Sequence, residues 1–268
     1  MVNRTLVDGR EIDSVPADDR ALLYGDGLFE TIAFIDGQAP LWPRHWQRFS
    51  ESCERLGLDC PDQAGLLEDC RRLAPDAGQV VIRFLLSRGS GGRAYWPPEP
   101  ARPRLIVQSR SWPESLARQR REGLKLVSSS IRLASDSMLA GIKHCNRLEQ
   151  VLAARHCALQ GADEAVLFDG RERLVEAIAS NLILDLDDGL VTPWSEAGVR
   201  GVGLGWLQDC GLALTSQVID RAALNSARSI VVVNSVAGPR LARSLDGQSL
   251  AATPACQGLI QTWQTRLW

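Results

Sequence analysis

Only two of the 30 basic residues in this chain are lysines, Lys125 and Lys143. An arginine stays protonated and cannot act as an amine nucleophile, so any Schiff-base chemistry rests on one of those two. Lys125 lies in the alternating stretch Leu124-Lys125-Leu126-Val127, where a solvated strand face accounts for it. Lys143 stands between the apolar Leu139-Ala140-Gly141-Ile142 and an amphipathic helix, a place where an arginine-rich chain has kept an amine. Three other segments carry chemistry-bearing residues. Tyr24-Gly25-Asp26-Gly27-Leu28-Phe29-Glu30-Thr31 is a tight glycine turn leading into a strand. Arg88-Gly89-Ser90-Gly91-Gly92-Arg93 combines three glycines with two guanidiniums, each able to hold a carboxylate through parallel hydrogen bonds. No G-K-[ST] follows it, which excludes a Walker loop and leaves an anion site or a flexible surface loop. In Val175-Glu176-Ala177-Ile178 a carboxylate sits in an apolar strand, a costly place unless it meets a partner or faces solvent. Downstream, Gly198-Val199-Arg200-Gly201 opens a helical stretch whose free N–H groups suit a phosphate.

Together these segments resemble the fold-type IV family of pyridoxal-phosphate enzymes, which takes in branched-chain and D-amino-acid aminotransferases and aminodeoxychorismate lyases. The resemblance runs in order over nearly the whole chain: G-D-G-L-F-E-T at 25–31, R-H-W-Q-R at 44–48, the lysine segment, V-E-A-I-A-S-N-L at 175–182 and G-V-R-G at 198–201. S-R-G-S-G-G-R at 87–93 and A-G-I-K-H-C-N-R-L-E-Q at 140–150 resemble the lyase members in particular. The resemblance implies that Lys143 carries pyridoxal 5'-phosphate and acts as the base. It implies that Arg48 and the backbone N–H groups of Val199 and Arg200 hold the phosphate, and that Glu176 faces the pyridine nitrogen. Asn181 falls among the implied cofactor-binding residues. Thr31 takes the position where lyases carry a hydroxyl and branched-chain aminotransferases a glycine. Arg88 and Arg93 are the implied carboxylate ligands of 4-amino-4-deoxychorismate, which would yield 4-aminobenzoate and pyruvate. The implied assembly is a homodimer of two α/β lobes with the cofactor between them. An aminotransferase is the alternative; a non-enzymatic cofactor-binding protein is more remote, since Lys143 and Glu176 are both present.

The elements that position these groups alternate between two periods. Leu6-Val7 and Thr31–Ile35 are extended stretches ended by Asp8-Gly9 and Asp36-Gly37, good hairpin turns. From Arg44 the spacing of Trp46, Phe49, Cys53 and Leu56 predicts a helix stopped by Gly57, followed by a second over Ala64–Leu73. Val80–Leu86 reads as a buried strand and Arg104–Gln108 as another. The Arg- and Pro-containing stretch 111–122 reads as a linker between an N-terminal lobe at 1–110 and a C-terminal lobe at 123–268. In the second lobe, Leu124–Val127 is extended and Arg147–Leu159 is a helix expected to turn Leu148, Val151, Leu152 and Leu159 inward. Short strands follow at Glu164–Asp169, Leu174–Ala177, Asn181–Leu186 and Gly189–Thr192. A helix at Val202–Cys210, strands at Ala213–Ile219 and Ser229–Val233, and a last helix running to Trp268 complete the pattern. The expected class is α+β in two lobes.

A net charge of −2 on 268 residues argues against a chain built to coat nucleic acid or an anionic membrane. No apolar run reaches the ~18 residues of a membrane span, and the start Met1-Val2-Asn3-Arg4 lacks a signal-peptide core, so the expected compartment is the cytoplasm. Seven cysteines at irregular spacing, with three histidines, form no metal pattern and read as reduced thiols.

Overall fold

The computed structural model describes residues 3–135 and 137–267, so Met1, Val2, Asp136 and Trp268 lie outside the description, including the expected end of the last helix. The chain divides into two compact units. The first holds the residues up to Pro113 together with Ile142–Asn146; the second holds Glu114–Gly141 and the remainder from Arg147.

In the first unit, β1 (Thr5–Val7), α1 (Arg20–Tyr24), β2 (Gly27–Ile35), α2 (Trp42–Leu56), α3 (Gln63–Leu73), β3 (Gln79–Ser87) and β4 (Arg104–Ser111) follow in order. The strands form an antiparallel sheet in the order β1-β4-β3-β2. Alternation along each strand separates two faces. Leu28, Ile32, Phe34, Ile82, Phe84 and Val107 pack against Phe49 and Cys53 of α2 and Leu66 and Cys70 of α3, making this unit's core. Phe29, Thr31 and Arg83 alternate with those residues and therefore belong to the opposite face, where Thr31 pairs with Arg83. Gly57 ends α2 in the left-handed conformation expected of a glycine C-cap.

In the second unit, α4 (Ser115–Glu122), β5 (Leu124–Leu133), α5 (Leu148–Leu159), β6 (Glu164–Asp169), β7 (Leu174–Ala177), β8 (Asn181–Leu186) and β9 (Gly189–Pro193) come first. They lead to α6 (Val202–Asp209), β10 (Leu214–Gln217), α7 (Arg221–Asn225), β11 (Ser229–Asn234), β12 (Gly238–Leu245), β13 (Gln248–Ser249) and α8 (Pro254–Arg266). The sheet runs β10-β9-β8-β11-β12-β5-β6-β7, with β13 paired to β12. Its core, built on Leu124, Val166, Phe168, Leu182, Leu184, Ile230 and Val232, fills with residues buried on strand after strand. The stretch read as a linker contains α4, whose Leu116 and Gln119 are buried.

One helix faces the other way from the sequence expectation. Ala153 and Cys157 are the buried residues of α5, packed against Leu133, Leu167, Val127 and Ala165, whereas Leu148, Val151, Leu152 and Leu159 are exposed. The larger side chains do form one stripe. The sheet beneath already supplies bulky residues, so the small side chains are the ones that let the helix approach it.

Candidate active site

Lys143 belongs to the short segment that the first unit recovers from the middle of the chain. Its carbonyl accepts from the Phe29 N–H at 3.0 Å, and the Cys145 N–H donates to Gly27 O at 3.0 Å, so the segment lies along the start of β2. The half-buried Lys143 amine stands 4.5 Å from the centroid of the Phe29 ring. The guanidinium of Arg83 stands at the same distance from that ring. Burial, then repulsion from Arg110, lowers the Arg83 pKa. Arg83 makes no ion pair or hydrogen bond among the described residues, although it is half-buried. It lines a cavity of about 290 Å³ with Thr5, Val7, Asp13, Ile106 and Gln108. Arginine is seldom buried without a partner, and this residue did not stand out in the sequence because Val81-Ile82-Arg83-Phe84 reads simply as a strand.

On the helical side of the same unit, Arg48 Nε and Nη2 both donate to the Glu30 carboxylate, at 2.7 and 2.5 Å. His45 Nδ1 lies 2.7 Å from the same carboxylate. Burial pushes the Glu30 carboxyl up, but Arg48 and His45 outweigh it and hold the group down to about 2. For His45 burial dominates and lowers the pKa against the pull of Glu30, with Arg48 and Lys143 repelling further protonation. A bidentate pair of this kind locks the Arg48 fork in one orientation.

The glycine loop is tied down by arginines. Arg88 Nε donates to both oxygens of Asp26, at 3.1 and 2.9 Å, while its two terminal nitrogens donate to Gly57 O and Leu56 O, at 2.7 and 2.8 Å. The buried Arg20 also donates to Asp26 and reaches the carbonyls of Gly91, Ala94, Tyr95 and Trp96. Where the sequence suggested that Arg88 offers donors to a carboxylate ligand, its fork is engaged with the loop's own foundations. Arg93 is exposed, and its guanidinium has no hydrogen bond among the described residues. Arg20 went unnoticed in the sequence, where nothing marks it among its neighbours Asp18 and Asp19.

In the second unit Glu176 is 5% exposed, not a surface strand residue, and its Oε2 accepts from the Val199 N–H at 2.9 Å. Asn181 grips the other side of that residue, donating from Nδ2 to Val199 O at 3.1 Å. The Val199 N–H that the sequence offered to a phosphate is thus already donated to Glu176. Two glycines make this possible. A Cβ on Gly198, whose φ is +78°, would sit 3.0 Å from the Glu176 carboxyl, and one on Gly201 would fall 1.6 Å from Asn181 Oδ1. Gly201 is the N-cap of α6 and no side chain caps that helix, so its first turn presents N–H groups and the positive end of its dipole. The exposed Arg200 side chain runs beside Gly141, whose N–H donates to Gly198 O at 2.9 Å. Lys143 follows Gly141 by two residues. Lys125, in contrast, extends along an exposed edge to Gln160 O at 3.1 Å.

The profile of the amino-transferase class IV family matches residues 27–245 of the chain. Aminodeoxychorismate lyase of Vibrio harveyi is 30% identical over 237 residues, covering 87% of this chain and 88% of its own length. A bifunctional aminodeoxychorismate lyase / D-amino acid transaminase of Mycobacterium tuberculosis is 27% identical over 266 residues, covering 90% and 89%. Among solved structures, 4-amino-4-deoxychorismate lyase from Pseudomonas aeruginosa superposes with a TM-score of 0.90 at 36% identity, over 98% of this chain and 99% of its own.

Proposed function

This chain belongs to the amino-transferase class IV family, the fold-type IV enzymes that use pyridoxal phosphate, and we propose that it is a lyase converting 4-amino-4-deoxychorismate to 4-aminobenzoate and pyruvate. The donor set fits the cofactor. One unit offers a primary amine at Lys143 and a guanidinium at Arg48 whose orientation Glu30 fixes. The other offers the buried Glu176 carboxylate and the uncapped first turn of α6. By the family pattern, Lys143 would be the attachment point, Arg48 and the N–H groups of Arg200 and of α6 would hold the phosphate, and Glu176 would keep the pyridine nitrogen protonated. Val199 and Asn181 hold Glu176 and the glycine turn in place.

Pyridoxal phosphate, when bound, would supply an electron sink for the carbon beside the substrate amine. The Lys143 amine, when neutral, would take the proton from that ring carbon. Loss of the neighbouring enolpyruvyl ether leaves an aromatic ring, which makes the step strongly downhill. The Thr31 hydroxyl would relay a proton to the departing enolpyruvate, its own being replaced by the one that Lys143 has taken. Arg83 and Arg93 hold the two substrate carboxylates, and Arg88 keeps the loop that carries Arg93 in shape.

The observation that carries this reading is the Phe29 ring with the Lys143 amine and the unpaired Arg83 guanidinium each 4.5 Å from its centroid. One aromatic ring is thus contacted by both an amine and a guanidinium, the two kinds of group that an anionic amine substrate requires. The bifunctional relative keeps a transaminase as the second reading. Comparing turnover of aminodeoxychorismate alone with that of D-alanine plus 2-oxoglutarate distinguishes them: the lyase reading expects the first to be faster, and a faster second reaction would replace it with the transaminase.

The chain also acts as a homodimer in this proposal. The exposed Leu148, Val151, Leu152 and Leu159 form an apolar stripe along α5 that a second copy would cover.

A further inference from the structure

Glu176 and Asn181, the two residues that grip Val199, are joined by a turn of only four residues, Ala177 to Ser180. That turn is anchored from one side by the buried Glu164 at the start of β6. Glu164 Oε1 accepts from the Ile178 N–H at 3.0 Å, and Oε2 accepts from the Ser180 hydroxyl at 3.5 Å. The direction of the second bond is forced. Ser180 Oγ already receives Asn234 Nδ2 at 3.1 Å and Arg240 Nη2 at 3.4 Å, so its own proton has to go to the carboxylate. The Ser180 carbonyl in turn accepts from the Ala177 N–H at 2.7 Å and closes the turn.

We propose that Glu164 is a positioning residue for the Val199 segment, its two carboxylate oxygens fixing the turn from which Glu176 and Asn181 reach that residue. Its meaning for catalysis rests on the cofactor reading above. The anchor needs two acceptors at once. A glutamine, or the protonated acid, keeps one acceptor and turns a donor toward either the Ile178 N–H or the Ser180 hydroxyl, so one bond is lost in each case.

The charged and titratable neighbours sharpen this. Arg240 of β12 faces Glu164 and is itself bonded to Gln119 of α4 at 2.5 Å. Arg120 of α4 repels Arg240, Asp163 lies next in the chain, and the Cys157 thiol of α5 is pushed up to about 11, chiefly by burial. Burial pushes Glu164 up to about 6, with Arg240 and the hydrogen bonds pulling back. The ionised, two-acceptor form therefore gives way to the one-acceptor form below about pH 6.

The test is amide hydrogen exchange on the cofactor-free full chain, corrected for the intrinsic rate, between about pH 5 and pH 8. In the wild type, protection of Ile178 and Val199 is expected to fall as pH drops through about 6. Glu164→Gln should exchange both amides at least about tenfold faster near pH 7.5 and lose that pH dependence, while Ile230 and Val232 in β11 stay protected. Glu164→Asp keeps two acceptors and should recover the pH dependence. Wild-type protection at Val199 that does not change with pH would overturn the proposal even if the glutamine variant failed to fold. So would a folded glutamine variant with wild-type protection there. A wild type that takes up no pyridoxal phosphate would instead overturn the cofactor reading, and the exchange data would still decide the role of Glu164.

Discussion

Lys143 and Arg83 carry the chemistry proposed here, and each makes a different demand on a variant. An arginine at position 143 keeps the charge but removes the nucleophile. Lys143→Arg should therefore be folded and without turnover, and borohydride reduction of the cofactor-loaded wild type should place the label on Lys143. A label on Lys125 would refute the site. Truncating Arg83 removes a charged hydrogen-bond donor to substrate, worth ~1.5–3 kcal/mol, so Arg83→Ala should raise KM roughly 10- to 100-fold and keep bound cofactor. Arg88→Ala should act differently, because that guanidinium ties Asp26 to the carbonyls of Leu56 and Gly57. Its loss should appear in thermal stability before it appears in KM. A matching KM increase without destabilisation in Arg88→Ala would return that residue to the substrate. The sequence showed why a lysine mattered, since only two exist, but it could not separate an arginine that serves a loop from one that faces a cavity. Both are written with the same letter, and only their partners differ.

At the scale of elements, two buried carboxylates give the units opposite acid responses. Glu30 is held at about 2, below its ordinary 4.5, so its pair with Arg48 and His45 stabilises the fold above pH 4.5 and that stability is lost as pH falls toward 2. The lowering corresponds to on the order of 3 kcal/mol. Burial raises Glu164 from 4.5 to about 6, so in global unfolding its contribution is fully present below pH 4.5 and is lost, by about 2 kcal/mol, as pH rises through 6. The Ile178 and Ser180 hydrogen bonds pull the other way, so local opening of the turn with Glu164 still buried is opposed by the ionised form. Urea titrations across this range should show Glu30→Gln destabilised at neutral pH by roughly 3–5 kcal/mol, as expected for a broken buried ion pair. The acid-side slope should flatten at the same time. Unchanged neutral stability would mean that Arg48 finds another partner.

The strands and helices that hold these groups were largely legible. The 3–4–3 spacing ending at Gly57 marks α2, and the β-branched run at 80–86 marks β3. The sidedness of α5 was not legible, because periodicity reveals a stripe and not what the stripe meets. β12 was also hidden. Pro239, Arg240 and Arg243 interrupt an apolar reading, and Pro239 is tolerated because β5 joins that strand only from Ala242 onward. Glu164 was invisible for a related reason: its partners arrive from residues 178 and 180, in another hairpin.

For the whole molecule, the apolar stripe on α5 makes self-association a prediction of its own. Val151→Glu with Leu152→Glu should shift the protein toward monomer in sedimentation experiments, since two charges in an apolar contact remain unpaired. Retention of the wild-type sedimentation coefficient would place any dimer contact elsewhere. Among the described residues no helix is long and apolar enough to cross a membrane. The central claim is that the protein's main reaction is elimination and not transamination. The direct measurement is product stoichiometry from aminodeoxychorismate, with pyridoxal phosphate present and no keto acid added. The lyase account predicts pyruvate and 4-aminobenzoate in equal amounts over many turnovers, abolished in Lys143→Arg. A single turnover that stalls until a keto acid is supplied would contradict it.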